Sequence, residues 1–319
     1  MTNSWPRQRE KPSGRPLLFI HIPKASGTTL TTVLRRIYRQ DEVCPAYYMN
    51  ELLTMPSDEL KAYDLVVGHF EFSVRTLMDN PLCMTMLRDP VQRVLSYYRF
   101  IRSASQHASH ERFQALDLRD IFNDPKDSMP VRNHQTRLFG RDFNVQARRQ
   151  YLLNEQSDSD PAKPPFEASP TSLKLAQRRI SNLSFVGLTE RFQESLQLLC
   201  YSFGWVMPKT YEKMNVTPKP KKRAQESEAI LTMIRNANID DQALYDHASA
   251  LFNSRYAAMR EEIARQLSTP VQELTDQDIN AYLFEPREPT KKPSGQDRNA
   301  AGKAADPPCN SSPKSGVPD

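Results

Sequence analysis

The sequence predicts an α/β fold in which a parallel central sheet is flanked by helices. Short apolar runs of strand length alternate along the chain with segments of helical periodicity. The first of these runs is continuous, which is typical of a strand buried on both faces of a parallel sheet. Strands that alternate with helices in this way form one sheet and place ligands at the carboxyl ends of the strands.

The first half of the chain supplies three strands and two helices. Strands are predicted at residues 16–22, 64–70 and 82–87, and helices at residues 27–39 and from residue 90 onward. Asp89 is a natural N-cap and Pro90 a natural first helical residue, so the second helix is expected to begin there. Residues 105–135 are expected to be helix and loop.

The second half adds a fourth strand and further helices. A helix at 172–182, a strand at 183–190 and helices at 191–204, 225–237 and 240–267 are predicted. Residues 154–170 are polar and rich in Pro, which indicates a surface insertion. We expect a flexible arm at residues 1–15, one domain at 16–287 and a disordered tail at 288–319.

Composition excludes several classes of protein. The 319 residues carry a formal charge of +5, which suits an anionic substrate but is too mild for a dedicated nucleic-acid binder. Four scattered cysteines, without metal-ligand spacing, indicate reduced thiols: Cys44, Cys83, Cys200 and Cys309. The start of the chain lacks the apolar core of a signal peptide, and no run has the length of a membrane span. We therefore expect a cytoplasmic protein without an integral membrane segment.

The stretch "HIPKASGTT", residues 21–29, predicts an anion-binding turn. It lies where the first strand meets the first helix, and the unpaired N–H groups of a helix start attract anions. In the phosphate loop of ATPases and GTPases the lysine follows the glycines, whereas here Lys24 precedes Gly27. No strand end offers a clear magnesium-binding aspartate either, which weakens a kinase interpretation and leaves it open.

A second stretch, "LRDPVQRVLSYY" at residues 87–98, completes a resemblance. Together the two stretches resemble the nucleotide-binding motifs of sulfotransferases that use 3′-phosphoadenosine 5′-phosphosulfate (PAPS). Within that superfamily the chain looks most like the heparan/uronyl 2-O-sulfotransferases and their soluble bacterial relatives. The resemblance covers about residues 16–255 and implies the P-loop NTPase-like sulfotransferase fold.

The resemblance implies a set of PAPS-binding residues. Those for the 5′-phosphosulfate are Lys24, Ala25, Ser26, Gly27, Thr28 and Thr29, and those for the 3′-phosphate are Arg88, Arg93 and Ser96. An arginine can grip a phosphate with two parallel hydrogen bonds. A compact lysine ammonium at residue 24 can neutralise the leaving phosphate as the bond to sulfur breaks.

His69, at the end of the second predicted strand, is the expected catalytic base. The resembling 2-O-sulfotransferases use a histidine at this position, although they carry two histidines close together and we expect only His69 here. Glu71 is the alternative base, because other sulfotransferases use a glutamate and residues two apart on a strand face the same side.

Two polar stretches are weaker candidates for binding. Residues 132–140 contain an acceptor-binding candidate set, Asn133, Gln135 and Arg137, and a solvated helix face explains this run equally well. The basic loop at 215–223 contains Lys219 and Arg223, which by resemblance would close over the nucleotide. A solvated charge run is an equal alternative there too.

The sequence therefore predicts a metal-independent, PAPS-dependent sulfotransferase. The acceptor is expected to be a hydroxyl of a glycan or glycoconjugate, and no nucleic-acid partner is expected. The alternatives are a kinase-like phosphotransferase and a catalytically dead nucleotide- or glycan-binding module.

Overall fold

A four-stranded parallel sheet forms the centre of the fold. The computed structural model describes residues 14–153, 169–211 and 226–284. The strands are β1 (Leu17–Ile20), β2 (Leu65–Gly68), β3 (Leu82–Leu87) and β4 (Phe185–Leu188). They lie in the order β2-β1-β3-β4, and every neighbouring pair is parallel. The predicted α/β fold is confirmed.

Helices surround this sheet. Those before β4 are α1 (Gly27–Ile37), α2 (Met49–Thr54), α3 (Ser57–Lys61), α4 (Pro90–Ser103), α5 (His110–Ala115), α6 (Leu118–Asn123), α7 (Pro125–Ser128), α8 (His134–Gly140), α9 (Val145–Leu153) and α10 (Leu173–Asn182). Those after it are α11 (Phe192–Phe203), α12 (Glu228–Asn236), α13 (Ile239–Leu267) and α14 (Asp276–Phe284).

The sheet is the centre of the hydrophobic core. All four side chains of β1 have no exposed surface, as expected for a strand with neighbours on both sides and helices on both faces. Burying four large apolar side chains stabilises the fold by roughly 1.5–3 kcal/mol for each residue. This buried strand holds the turn that follows it in a fixed position.

The strands end earlier than the sequence predicts. β1 was expected to reach residue 22 and β2 residue 70, but they end at Ile20 and Gly68. The chain turns after β2, where the Phe70 N–H donates back to the carbonyl of Gly68 at 3.0 Å. His21 and His69 therefore lie directly after the two strands, at the carboxyl edge of the sheet.

Helix α4 begins as predicted. The Asp89 carboxylate accepts a hydrogen bond from the Gln92 N–H at 2.8 Å, and Pro90 is the first helical residue. This cap fixes the direction in which the chain leaves β3.

Several expectations lie outside the described residues. These are most of the arm, most of the insertion, the basic loop and the tail, at residues 1–13, 154–168, 212–225 and 285–319. The domain boundaries at 15/16 and 287/288 stay a proposal. Within the described ranges, no helix has the length and apolar character that a bilayer crossing requires.

Candidate active site

A cavity of about 460 Å³ lies at the carboxyl edge of the sheet. Its walls come from the loops after β1 and β2, the start of α1, and one face of α4. Among the predicted site residues it is lined by Lys24, Ser26, Gly27, Thr28, Thr29, His69, Arg88 and Ser96. No carboxylate of the described residues lines it, so the cavity suits an anion.

The turn between β1 and α1 has a strained backbone. Lys24 and Ser26 both adopt left-handed conformations, with φ of 68° and 59°. Non-glycine residues adopt this conformation at a cost of about 1–3 kcal/mol, and such strain concentrates at binding sites. Ala25 between them is completely buried and anchors the turn.

The Lys24 ammonium lies over the Phe100 ring, with Nζ 4.0 Å from the ring centroid. Burial, and to a smaller extent the nearby Arg88 guanidinium, lowers the pKa of Lys24 to about 8. The side chain is therefore a cation at neutral pH that has already lost much of its water.

Arg88 directly follows β3 and connects two parts of the cavity. Its Nη1 donates to the carbonyl oxygen of Lys24 at 2.9 Å, and its Nε lies 3.7 Å from the Glu190 carboxylate. The backbone N–H and carbonyl of Arg88 both bond the side-chain amide of Gln135. Ser96, two turns along α4, lines the same cavity.

The hydrogen bonds of His69 determine its tautomer. Its Nδ1 lies 2.7 Å from the carbonyl oxygen of His21, and a carbonyl can only accept, so Nδ1 carries the proton. Nε2 is then left with the lone pair. Burial lowers the pKa of His69, and the bond to His21 opposes that shift in part.

His21 is a second histidine at this site, and the expectation of a single one is wrong. The rings of His21 and His69 have centroids 4.6 Å apart, and His21 Nδ1 lies 2.8 Å from the Tyr47 hydroxyl. Burial, then His69 and Lys24, lower the pKa of His21 to about 3, so this ring is neutral. The sequence signal for His21 was its position directly after β1. The carboxyl ends of neighbouring parallel strands lie side by side, so a residue after β1 lies close to His69 after β2.

His134 and three tyrosines, Tyr47, Tyr48 and Tyr97, also line the cavity and were not predicted. His134 Nδ1 must accept from the Arg137 guanidinium at 2.6 Å, because an arginine can only donate. Burial and Arg93 lower the pKa of His134 well below its ordinary value, which leaves a neutral ring with its proton on Nε2. The Tyr48 side chain is 58% exposed, and its ring centroid lies 5.9 Å from that of His69.

Glu71 does not line the cavity. Its carboxylate accepts two hydrogen bonds from Arg141, at 3.0 and 2.6 Å, and only 12% of its side chain is exposed. The expectation that it faces the same side as His69 is wrong, because β2 ends at Gly68 and the chain then turns.

Arg93 is also apart from the cavity. The residue is completely buried, and its Nη2 donates to the carbonyl of Pro130 at 2.9 Å. Its Nε and Nη1 are buried without a hydrogen-bond partner among the described residues, and its contact with the 3′-phosphate stays a prediction.

The polar run on α8 is built into the protein interior. Asn133 bonds Asn238, Asp240 and Asp241 at the start of α13, and Gln135 is completely buried against the Arg88 backbone. Arg137 donates to the Met129 carbonyl and to His134. A solvated helix face does not describe this run, and the acceptor-binding role of these residues stays a prediction. Lys219 and Arg223 lie outside the described residues.

No group of three or more His, Cys, Asp or Glu side chains in the described ranges is placed to hold a metal ion.

Comparisons with known proteins agree with the two motifs. A profile of the Sulfotransferase family matches residues 13–272. The chain is also similar to a protein-tyrosine sulfotransferase from Arabidopsis thaliana, with 26% identity over 277 aligned residues. That likeness covers 68% of this chain and 54% of the relative, so the chain spans just over half the length of the curated relative it matches.

Proposed function

The chain belongs to the sulfotransferase family, and from that premise we propose that it transfers a sulfuryl group from PAPS to a hydroxyl acceptor. The predicted sulfotransferase superfamily is confirmed. PAPS is the general sulfate donor of this family. The roles of individual residues, the acceptor and the cytoplasmic location are proposals.

The observation that carries the proposal is the orientation of His69 in a cavity that Lys24 also lines. The His21 carbonyl holds the proton on His69 Nδ1, so Nε2 is the basic nitrogen. The lowered pKa of His69 keeps the ring neutral near pH 7. Both side chains line one cavity, so a base and a cation are available at a single reacting centre.

The cavity lining suits the donor nucleotide. We assign the 5′-phosphosulfate to the turn of Lys24 to Thr29, at the positive end of the α1 helix dipole. Arg88 and Ser96 are assigned to the 3′-phosphate. Bound there, PAPS would supply the activated sulfuryl group.

The residues then act in one transfer. His69 Nε2 takes the proton of the acceptor hydroxyl while its oxygen forms a bond to sulfur. The bond between sulfur and the bridging oxygen of the 5′-phosphate breaks, and Lys24 stabilises the charge that grows on that oxygen. The products are a sulfate ester and 3′-phosphoadenosine 5′-phosphate (PAP), with the acceptor proton on His69.

Two classes of acceptor are compatible with this site. The motifs favour a glycan hydroxyl, whereas the curated relative is named for sulfation of protein tyrosine. Tyr47 and Tyr48 form a T-shaped pair next to His69, with ring centroids 5.3 Å apart. Such a surface can pack against the flat face of a sugar or of an aromatic ring. We propose a glycan as the first candidate and a tyrosine peptide as the second.

Assays with radiolabelled PAPS test the activity and the base together. Oligosaccharides and tyrosine peptides would be offered separately to the full chain. His69→Ala should lose roughly 10²–10⁴-fold in turnover, the effect of one general base, while PAP binding by calorimetry is retained. Glu71→Gln should keep turnover, because its carboxylate is occupied by Arg141.

Loss of turnover in Glu71→Gln, with turnover retained in His69→Ala, would assign the base to Glu71. Absence of transfer to every acceptor, together with tight PAP binding, would favour the binding-module alternative.

A further inference from the structure

We propose that Gln135 is a positioning residue for Arg88 and thereby determines how well the protein distinguishes PAP from AMP. The proposal rests on the proposed function, because it presupposes that Arg88 binds the 3′-phosphate. It gives Gln135 a role different from the acceptor contact that the sequence suggests.

The contact between the two residues is reciprocal. Gln135 Oε1 accepts from the Arg88 N–H at 3.0 Å, and Gln135 Nε2 donates to the Arg88 carbonyl at 2.8 Å. Arg88 is the first residue beyond β3, where the strand pairing with β4 has ended at Leu87. A side-chain amide offers both a donor and an acceptor, so it can take the place of a neighbouring strand.

Gln135 is itself rigidly held. It is completely buried, and its backbone N–H donates to the Asp241 carboxylate at 3.1 Å. The same carboxylate accepts from the Thr136 N–H at 2.7 Å, and it too is completely buried. In return, Asn133 Oδ1 accepts from the Asp241 N–H at 3.1 Å. These bonds fix the start of α8 to the start of α13. Gln135 thereby holds Arg88, although the two residues are 47 positions apart in the sequence.

A fixed backbone matters for a residue that reads a phosphate. An arginine side chain has many rotamers, and holding its backbone leaves fewer positions for the guanidinium. Supporting contacts of this kind place a binding group in its productive geometry before the ligand arrives. Arg88 also donates to the Lys24 carbonyl, so the position of Arg88 affects the turn that is assigned to the 5′-phosphosulfate.

The test measures the dissociation constants of PAP and AMP by calorimetry, on the full chain. We expect the wild type to prefer PAP. Gln135→Met, which keeps the volume and removes both hydrogen bonds, should reduce that preference at least ~10-fold, the effect of weakening one charge-assisted contact. AMP affinity should change much less, because AMP lacks the 3′-phosphate.

Thr136→Val is the matched control. It is the next residue, is equally buried, and its backbone still bonds Asp241, so the preference should be unchanged. Gln135→Glu keeps the acceptor for the Arg88 N–H and loses the donor to the Arg88 carbonyl, so its preference for PAP should fall less. This variant replaces Gln135→Met in the test if the Met variant does not fold. In an Arg88→Ala background, Gln135→Met should have no further effect on the preference, because it acts through Arg88.

The outcomes are distinguishable. A folded Gln135→Met or Gln135→Glu protein that keeps the wild-type preference overturns the role of Gln135 and leaves the proposed function intact. An equal loss in Thr136→Val, or a full further loss in the Arg88→Ala background, also overturns it. A wild type that binds PAP and AMP equally overturns the assigned 3′-phosphate site and this proposal with it.

Discussion

Lys24 combines three features that a structural lysine rarely has. Its backbone is left-handed, its ammonium lies over the Phe100 ring, and its pKa is lowered to about 8. The left-handed backbone and the contact with Phe100 limit the positions of the side chain. The lowered pKa reflects the water that the ammonium has lost on burial. A positioned and partly dehydrated ammonium stabilises most strongly the negative charge that appears only as a bond breaks.

We therefore predict that Lys24→Ala loses at least ~10²-fold in kcat, the scale of one lost electrostatic stabiliser. The dissociation constant of PAPS should change much less. Lys24→Arg should not restore turnover, because a planar guanidinium does not replace a compact ammonium in a tight turn. Single-turnover kinetics and calorimetry of PAPS binding measure the two effects separately. Near-normal turnover with badly weakened PAPS binding would show that Lys24 is only an anchor.

The junction between β1 and α1 depends on close packing of Gly27 against His21. A Cβ atom at Gly27 would come within 1.9 Å of the His21 ring. His21 has little room to move, because it is buried and its ring nitrogen bonds Tyr47. Only a glycine at position 27 therefore lets α1 begin directly against the buried His21 ring.

Gly27→Ala should destabilise the fold by roughly 1–3 kcal/mol, the usual cost of overpacking. It should also weaken PAP binding and lower turnover, since the displaced His21 carbonyl orients His69. Urea unfolding and calorimetry of PAP binding check both effects.

Gly204→Ala is the control for this prediction. It should cost a comparable ~1–2 kcal/mol through its left-handed φ of 67° alone. Its Cβ would meet open space, so PAP binding should be unchanged. If Gly27→Ala binds PAP as tightly as Gly204→Ala does, the packing of His21 against Gly27 is irrelevant to the site.

At the scale of the whole molecule, strand order brings the two cations of the site together. Lys24 and Arg88 come from the ends of different strands, and only the parallel order of β1 and β3 brings them together. The formal charge of +5 acts in the same direction but does not distinguish one nucleotide from another.

PAP at a hundredfold excess over its dissociation constant should stabilise the folded protein by about 2.7 kcal/mol. AMP at the same concentration should stabilise it much less, because Arg88 and Ser96 are assigned to the additional phosphate. Thermal unfolding of the wild type and of Arg88→Ala measures this, and the variant should lose the difference. Equal stabilisation of the wild type by both nucleotides would contradict the assigned 3′-phosphate site.

The sequence by itself determined the features that depend on neighbours along the chain. The apolar strands, the turn at Lys24 and the cap at Asp89 follow from local patterns, because an apolar run, a tight turn and a helix cap involve residues only a few positions apart. The order of the two motifs was sufficient to indicate the family.

Only the tertiary structure decided which of these residues meet. His69 bonds the carbonyl of His21, 48 residues away, because β1 and β2 are neighbours in the sheet. Glu71 bonds Arg141, 70 residues away, and Gln135 bonds Arg88, because the two ends of α8 contact the segments that follow β2 and β3. Such contacts depend on strand order and helix packing, which side-chain spacing along the sequence does not encode.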